Sequence, residues 1–269
     1  VTARRAWSSS RPAMTTPTQA AYFERIRLAI IGQPRTQQKM IGPSELGTDC
    51  LHCLAAKLAG WEQIEDADAW LPFIGSAFHQ YVEPAFDDSV NHWIIGDKLR
   101  ELQRREPGRY LVEHRVMVGT VAGAEVWGTS DLFDTHTHCV VDHKLVGQST
   151  LTKAKRAPST VYRKQAHLYG RGYAMQGHKV ERVAISFLPR NAISLNQAVW
   201  WEMDYDEQEA IDTLAHAGRV AAQLDAIAAI SPEARDIWIS GLDRAPGCWD
   251  CQRFQDFRPK ARSLEELIG

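Results

Sequence analysis

No run of apolar residues in the 269-residue chain approaches the roughly 18 that a membrane-crossing helix requires. No membrane span is expected. No Gly-x-x-x-x-Gly-Lys-Ser/Thr phosphate loop is present, so an ATP-driven motor would have to be a partner chain. Charge of one sign is not in surplus either. The formal net charge is −2, which gives no global attraction to a polyanion and leaves that task to a local basic patch. No internal repeat is found, and no signal peptide is evident. Cysteine is scarce and odd in number, with five residues. That argues against a disulfide framework and for a reducing, cytoplasmic compartment.

What is present suits one good-sized domain or two small ones. The hydrophobic share of 44% is ordinary for a globular chain. Residues 1–13 are rich in Arg and Ser and carry no acid. They read as a transit-like segment or an untidy tail, and residues 1–16 are set apart as a flexible tail. Residues 17–105 then form a helical region, 106–230 a core, and 231–269 a C-terminal segment.

Apolar spacing predicts helices over 17–31, 43–60, 71–90 (with Pro84 as a kink or break) and 91–105. The texture then changes to strands over 110–118, 125–133 and 139–146. Residues 151–155 are short and basic. Ser159 is a plausible N-cap for a helix to about 176, which Gly177 stops. Strands over 180–188 and 198–203 and a long helix over 206–230 follow, and the remainder reads as irregular. This order predicts an α/β fold, with helices packed on a mixed sheet and the first helices as a cap.

The most informative stretch contains Gly128-Thr-Ser-Asp131 and Val140-Val141-Asp142-His143-Lys144. A two-residue hairpin loop at His136 and Thr137 sets Asp131 opposite Asp142. Side chains paired in this way have Cβ atoms about 4.5–5.5 Å apart. Two carboxylates that close repel unless a cation lies between them, and hard divalent cations such as Mg²⁺ or Mn²⁺ take oxygen ligands. Lys144, two residues from Asp142, projects on the same face. His143 points the other way, although its carbonyl oxygen is available as a ligand. Ordinary solvated strand residues forming a surface ion pair are the plain alternative. The apolar neighbours of Asp142 count against it, since acids are seldom buried in a central strand unpaired.

Gln165-Ala-His-Leu-Tyr169 adds a pair four residues apart on one helix face. His79, in Gly75-Ser-Ala-Phe-His79, and Glu113, in Val112-Glu113-His114, are further candidates beside the site. Lys153, Lys155, Arg156, Arg163 and Lys164 form the clearest basic run, suited to phosphate neutralisation. Tyr162 among them is placed to stack on an unpaired base or simply to pack.

In order and spacing, these motifs resemble the RecB-like PD-(D/E)XK nuclease family, over about residues 43–254. The resemblance implies a restriction-endonuclease-like core with a Mg²⁺- or Mn²⁺-dependent deoxyribonuclease site. It implies that Asp131, Asp142 and His79 hold the metal and that Lys144 supports the water and the transition state. Gln165 and Tyr169 complete that site. It also implies an exonuclease acting on single strands or DNA ends, working with a helicase or recombination partner. A structure-selective endonuclease, or a DNA-binding subunit that keeps the fold without catalysis, uses the same residues.

Cys50-Leu-His-Cys53 and Cys248-Trp-Asp-Cys251 are C-x-x-C pairs at opposite ends of the core. Four thiolates suit tetrahedral Zn²⁺ or an iron–sulfur cluster. His52, inside the first pair, is a weaker zinc ligand candidate. The resemblance implies a 4Fe–4S cluster, with structural zinc as the alternative. The family's usual arrangement is one early and three late cysteines, and this chain departs from it with two and two. Cys139 stands alone in an apolar run and reads as a small buried hydrophobe.

Overall fold

A computed structural model describes residues 17–31, 41–64, 69–89 and 96–258. The tail at 1–16, the start of the helix expected from 91, and the end of the C-terminal segment lie outside the described residues. The N-terminal part carries α1 (Pro17–Ile31), α2 (Pro43–Leu46), α3 (Leu51–Leu58), α4 (Trp70–Phe86) and α5 (Asp97–Arg105). The single helix expected over 43–60 is two. α2 ends at Gly47, and α3 starts afresh with Cys50 as its N-cap residue. Pro84 lies inside α4, buried, and does not end it.

The strands are β1 (Tyr110–Val121), β2 (Ala124–Asp134), β3 (Cys139–Val146), β4 (Arg182–Pro189) and β5 (Val199–Asp204). They form one sheet in the order β1-β2-β3-β4-β5. Only β3 and β4 run parallel. A parallel pair needs a crossover, supplied by α6 (Gln148–Ala154) and α7 (Thr160–Met175). The Ser159 hydroxyl caps α7 by accepting from the Tyr162 N–H at 3.4 Å. The basic stretch expected near 151–155 is the end of α6 and the turn beyond it. β1 and β2 are longer than expected and turn through Ala122 and Gly123, both at positive φ. That is the backbone a tight two-residue hairpin requires.

β2 and β3 pair Leu132 with Val141, Phe133 with Val140 and Asp134 with Cys139. The connection is the four residues 135–138, not two, and the register is unchanged. One residue has been added to the loop on each side. Asp134 holds this hairpin closed. It accepts from Arg109 Nη2 at 2.7 Å and from the main-chain N–H groups of His136 and Thr137 at 2.9 and 3.3 Å.

Both faces of the central strands are covered. On one, Phe133, Val140, Val183 and Ile185 pack with Leu168 and Tyr173 of α7 and with α8 (Glu207–Ala228). On the other, Leu132, Val141 and Ala184 pack with Phe86 of α4. This two-sided burial explains why β3 and β4 read as nearly continuous apolar runs. Gly128 on β2 lies at a close approach. A Cβ there would sit 2.7 Å from Pro43 of α2 and 2.9 Å from the Tyr169 ring. The C-terminal segment is not wholly irregular. α9 (Pro232–Ser240) is capped by Ser231, whose hydroxyl accepts from the N–H groups of Glu233 and Ala234. A 3₁₀ turn at Asp250–Arg253 follows.

Candidate metal centres

Glu113 of β1 and Asp131 of β2 face each other between the pairs Val112–Leu132 and His114–Ser130, and Asp142 is the residue of β3 that follows the last β2–β3 pair, Leu132–Val141. Asp131 and Asp142 are buried, at 8% and 1% exposure. Asp131 Oδ2 accepts the His143 main-chain N–H at 2.6 Å. Its other oxygen lies 3.4 Å from His79 Nδ1, and Glu113 Oε1 lies 3.4 Å from the same nitrogen. Ligand atoms of His79, Glu113 and Asp131 all lie within 4.8 Å of one another, close enough to share an ion. His79 reaches the sheet from α4, which also packs Phe86 against His143 with ring centroids 5.9 Å apart.

Glu113 carries a φ of 45° in the middle of a strand. For a residue with a Cβ this is an uncommon and costly backbone state, and such strain gathers at functional sites. Nothing local in Val112-Glu113-His114 announces that state. The sequence marks Glu113 only as an acid on the strand before Asp131.

Asp142 makes an ion pair with Lys144, Oδ2 to Nζ 2.7 Å. The D-x-K spacing on one strand therefore does bring both groups to one face. Burial pushes the Asp142 carboxyl above its ordinary range, and Asp131 adds to this against the pull of Lys144. Burial works against the Lys144 ammonium, yet Asp142 and Asp131 outweigh it and hold that group above the usual lysine range. Burial lowers the His143 imidazole.

Gln165 and Tyr169 are buried on α7 and meet each other, Nε2 to Oη 3.5 Å. The α7 side chain that touches the D-x-K lysine is Tyr162, whose ring centroid lies 5.1 Å from Lys144 Nζ. The basic run is divided. Lys153, Lys155 and Arg156 are exposed. Arg163 is paired with Glu209 at 2.8 Å, and Lys164 with Asp49 at 3.3 Å.

The cysteine pairs, far apart in sequence, come together. Cys50 Sγ lies 3.4 Å from Cys251 Sγ, and Cys53 Sγ lies 3.6 Å from Cys248 and 3.5 Å from Cys251. Cys50 and Cys53 are buried. Burial tends to raise the Cys50 thiol, but N–H groups of Cys53 and Ala245 and the neighbouring thiols bring it down to about 7. Burial and the same neighbours push Cys53 far up. One thiolate forms at the expense of the next unless a cation joins them. His52 is wholly buried beside them. Its Nδ1 is 4.0 Å from Cys53 Sγ, and its Nε2 is 3.3 Å from both Asp256 Oδ1 and Arg244 Nη2. Cys139 is buried alone in the sheet, as expected.

No helix among the described residues is long and apolar enough to cross a membrane. No family model and no curated protein matches the chain. Solved structures do. The alkaline exonuclease LHK-Exo of Laribacter hongkongensis, in complex with dAMP, is 15% identical, covering 70% of this chain and 89% of its own, with a TM-score of 0.42. A putative exonuclease from Eubacterium rectale is 14% identical, covering 88% of this chain and 96% of its own, with a TM-score of 0.45. A phage-related exonuclease from Haemophilus somnus 129PT is 14% identical, covering 70% of this chain and 95% of its own, with a TM-score of 0.36. By its own strand order the chain is an α/β protein, with a mixed five-stranded sheet between helices.

Proposed function

We propose that the chain is a Mg²⁺- or Mn²⁺-dependent deoxyribonuclease. The observation that carries this reading is the row of three acids on adjacent strands, Glu113, Asp131 and Asp142, with His79 at one end and Lys144 at the other. Carboxylate oxygens with one imidazole suit a hard divalent ion. Glu113 and Asp131, whose oxygens lie within 4.8 Å of each other and of His79, repel one another without one, and Asp142 adds to that negative charge. Asp131, Asp142, His79 and Glu113 are the proposed ligands, and the His143 carbonyl is a further candidate. A divalent ion bound there supplies an activated water and polarises the phosphodiester.

The side chains account for the rest. The His143 N–H fixes one oxygen of Asp131 and so sets the direction of the other. Lys144 keeps its charge because two carboxylates hold it. It is placed to orient the attacking water and to meet the negative charge that grows on phosphate. Tyr162 covers that ammonium. Gln165 and Tyr169 complete the site from within α7, where they meet each other and the Tyr169 ring lies against Gly128 of β2, the strand that carries Asp131. Lys153, Lys155 and Arg156 are exposed and suited to the DNA backbone. Arg163 and Lys164 must first leave their partners Glu209 and Asp49. The choice of DNA, of exonucleolytic action on single strands or ends, and of a helicase or recombination partner rests only on the resemblance to RecB-like nucleases carried by Gly128-Thr-Ser-Asp131, Asp142-His-Lys144 and Gln165-x-x-x-Tyr169.

The test is incubation of pure protein with end-labelled single- and double-stranded DNA and with closed circles, in Mn²⁺, Mg²⁺ or EDTA. Mononucleotide or short-oligonucleotide release that needs the metal and a free end is expected. Nicking of closed circles makes the enzyme an endonuclease. No cleavage by the wild-type chain under any of these conditions sinks the nuclease reading.

A further inference from the structure

We propose that Cys50, Cys53, Cys248 and Cys251 hold a single tetrahedral Zn²⁺ ion, not an iron–sulfur cluster, as a clasp between the two ends of the fold. The sulfur spacing carries the argument. The three Sγ–Sγ separations of 3.4, 3.5 and 3.6 Å are too long for a disulfide, whose sulfurs are about 2.05 Å apart. A zinc ion with four thiolates at about 2.3 Å requires sulfurs about 3.8 Å apart. Those three separations meet that need with shifts of a few tenths of an ångström; the group whose ligand atoms all lie within 4.8 Å of one another is Cys50, His52, Cys53 and Cys251, so Cys248, held 3.6 Å from Cys53, has the longer way to move to complete the tetrahedron. In a 4Fe–4S cube each thiolate binds a different iron, and the sulfurs stand on the outside of the cube. These four cysteines would have to be driven well apart to admit it, and Cys53 is fully buried.

The surroundings fit a closed structural site. The cysteines come from the start of α3 and from the segment after α9. Those same segments are tied by Lys57 to Asp250 at 3.2 Å and by the Ile64 N–H to the Arg253 carbonyl at 2.8 Å. The ion therefore completes a junction that polar contacts outline already. His52 stands behind the sulfurs, with its Nε2 side turned to Asp256 and Arg244. Nothing in this placement draws on the nuclease reading, and the test below reads no cleavage.

The full chain, expressed with both zinc and iron in the medium and purified under reducing, anaerobic conditions, is exposed briefly to EDTA and analysed for metals. About one zinc per chain and no visible absorption are expected, with a strong thiolate–cobalt spectrum after exchange with Co²⁺. Cys251→Ser should lose the zinc, and Cys139→Ser and His52→Ala should keep it. If Cys251→Ser does not fold, a mercurial titration of the wild-type chain replaces it, releasing one zinc as four thiols react. Iron with equivalent sulfide and a broad band toward the blue overturns the proposal, as does a colourless chain without metal. Zinc lost in His52→Ala but kept in Cys248→Ser overturns the four-thiolate ligand set.

Discussion

Asp131 rests one carboxylate oxygen on the main-chain N–H of His143, 2.6 Å away, and turns the other toward α4. An amide oxygen accepts that N–H as well as a carboxylate oxygen does. Asp131→Asn should therefore fold with nearly the wild-type melting temperature. It removes a negative ligand from a site whose ion must be held by charge. Loss of cleavage by about 10²-fold or more is expected, with a raised Mn²⁺ requirement. Rates measured across a Mn²⁺ series check this. Full activity at low Mn²⁺ would remove Asp131 from the ligand set.

Lys144 and Asp142 make the opposite case, a pair in which one partner supports the other. Asp142 is almost wholly buried, and its ion pair to Lys144 is 2.7 Å. Lys144→Met keeps most of the side-chain volume and removes the charge. An acid left alone in the interior costs about 3 kcal/mol, so the metal-free variant should unfold at clearly lower denaturant. Mn²⁺ should restore stability to the variant more than it adds to the wild type, because the ion replaces the missing positive charge. Activity should stay low even when the fold recovers. Equal Mn²⁺ responses in the two proteins count against a metal beside Asp142.

Arg109 and Asp134 give a pH prediction away from the site. Burial raises the Asp134 carboxyl, but the Arg109 hydrogen bonds and the N–H groups of the turn outweigh it and leave the group below its ordinary value. A carboxylate with a depressed folded pKa contributes stability above its unfolded pKa. That contribution is lost as pH falls through the folded one. Asp134→Asn should cost about 2 kcal/mol at neutral pH, and the gap to wild type should close as the pH is lowered into the acid range. Urea unfolding across pH measures it. A gap that stays constant with pH removes the ion pair as its cause.

Much of this arrangement was legible in the sequence, and the exceptions have physical causes. β3 stood out because both of its faces are covered. The β2–β3 register survived a wrong loop length because the extra residues fall equally on the two sides. α9 was missed although Ser231-Pro232 is an N-cap followed by a proline at the first helical position. Glu113 was a candidate from its place on the strand before Asp131, but its positive φ was not legible, since nothing in Val112-Glu113-His114 signals it. Nor was the engagement of Arg163 and Lys164, whose partners Glu209 and Asp49 lie on other elements. Pairings between distant segments leave no local pattern to read.

Gly128 links the acid-bearing strand to the helices behind it. Pro43 and the Tyr169 ring already occupy the space that a Cβ would need, at 2.7 and 2.9 Å. Of these only the tyrosine ring belongs to a side chain that can turn, and Tyr169 is buried. Gly128→Ala must therefore push α2 or the ring away from β2, an overpacking cost of about 1–3 kcal/mol. Because Tyr169 meets Gln165, the shift should also disturb that pair on α7 and the seating of β2, which carries Asp131. Gly128→Ala should then lower both the melting temperature and the cleavage rate, while the double change Gly128→Ala with Tyr169→Leu should recover part of the stability and little of the rate. Stability that falls additively in the double variant would show that the ring does not fill this space.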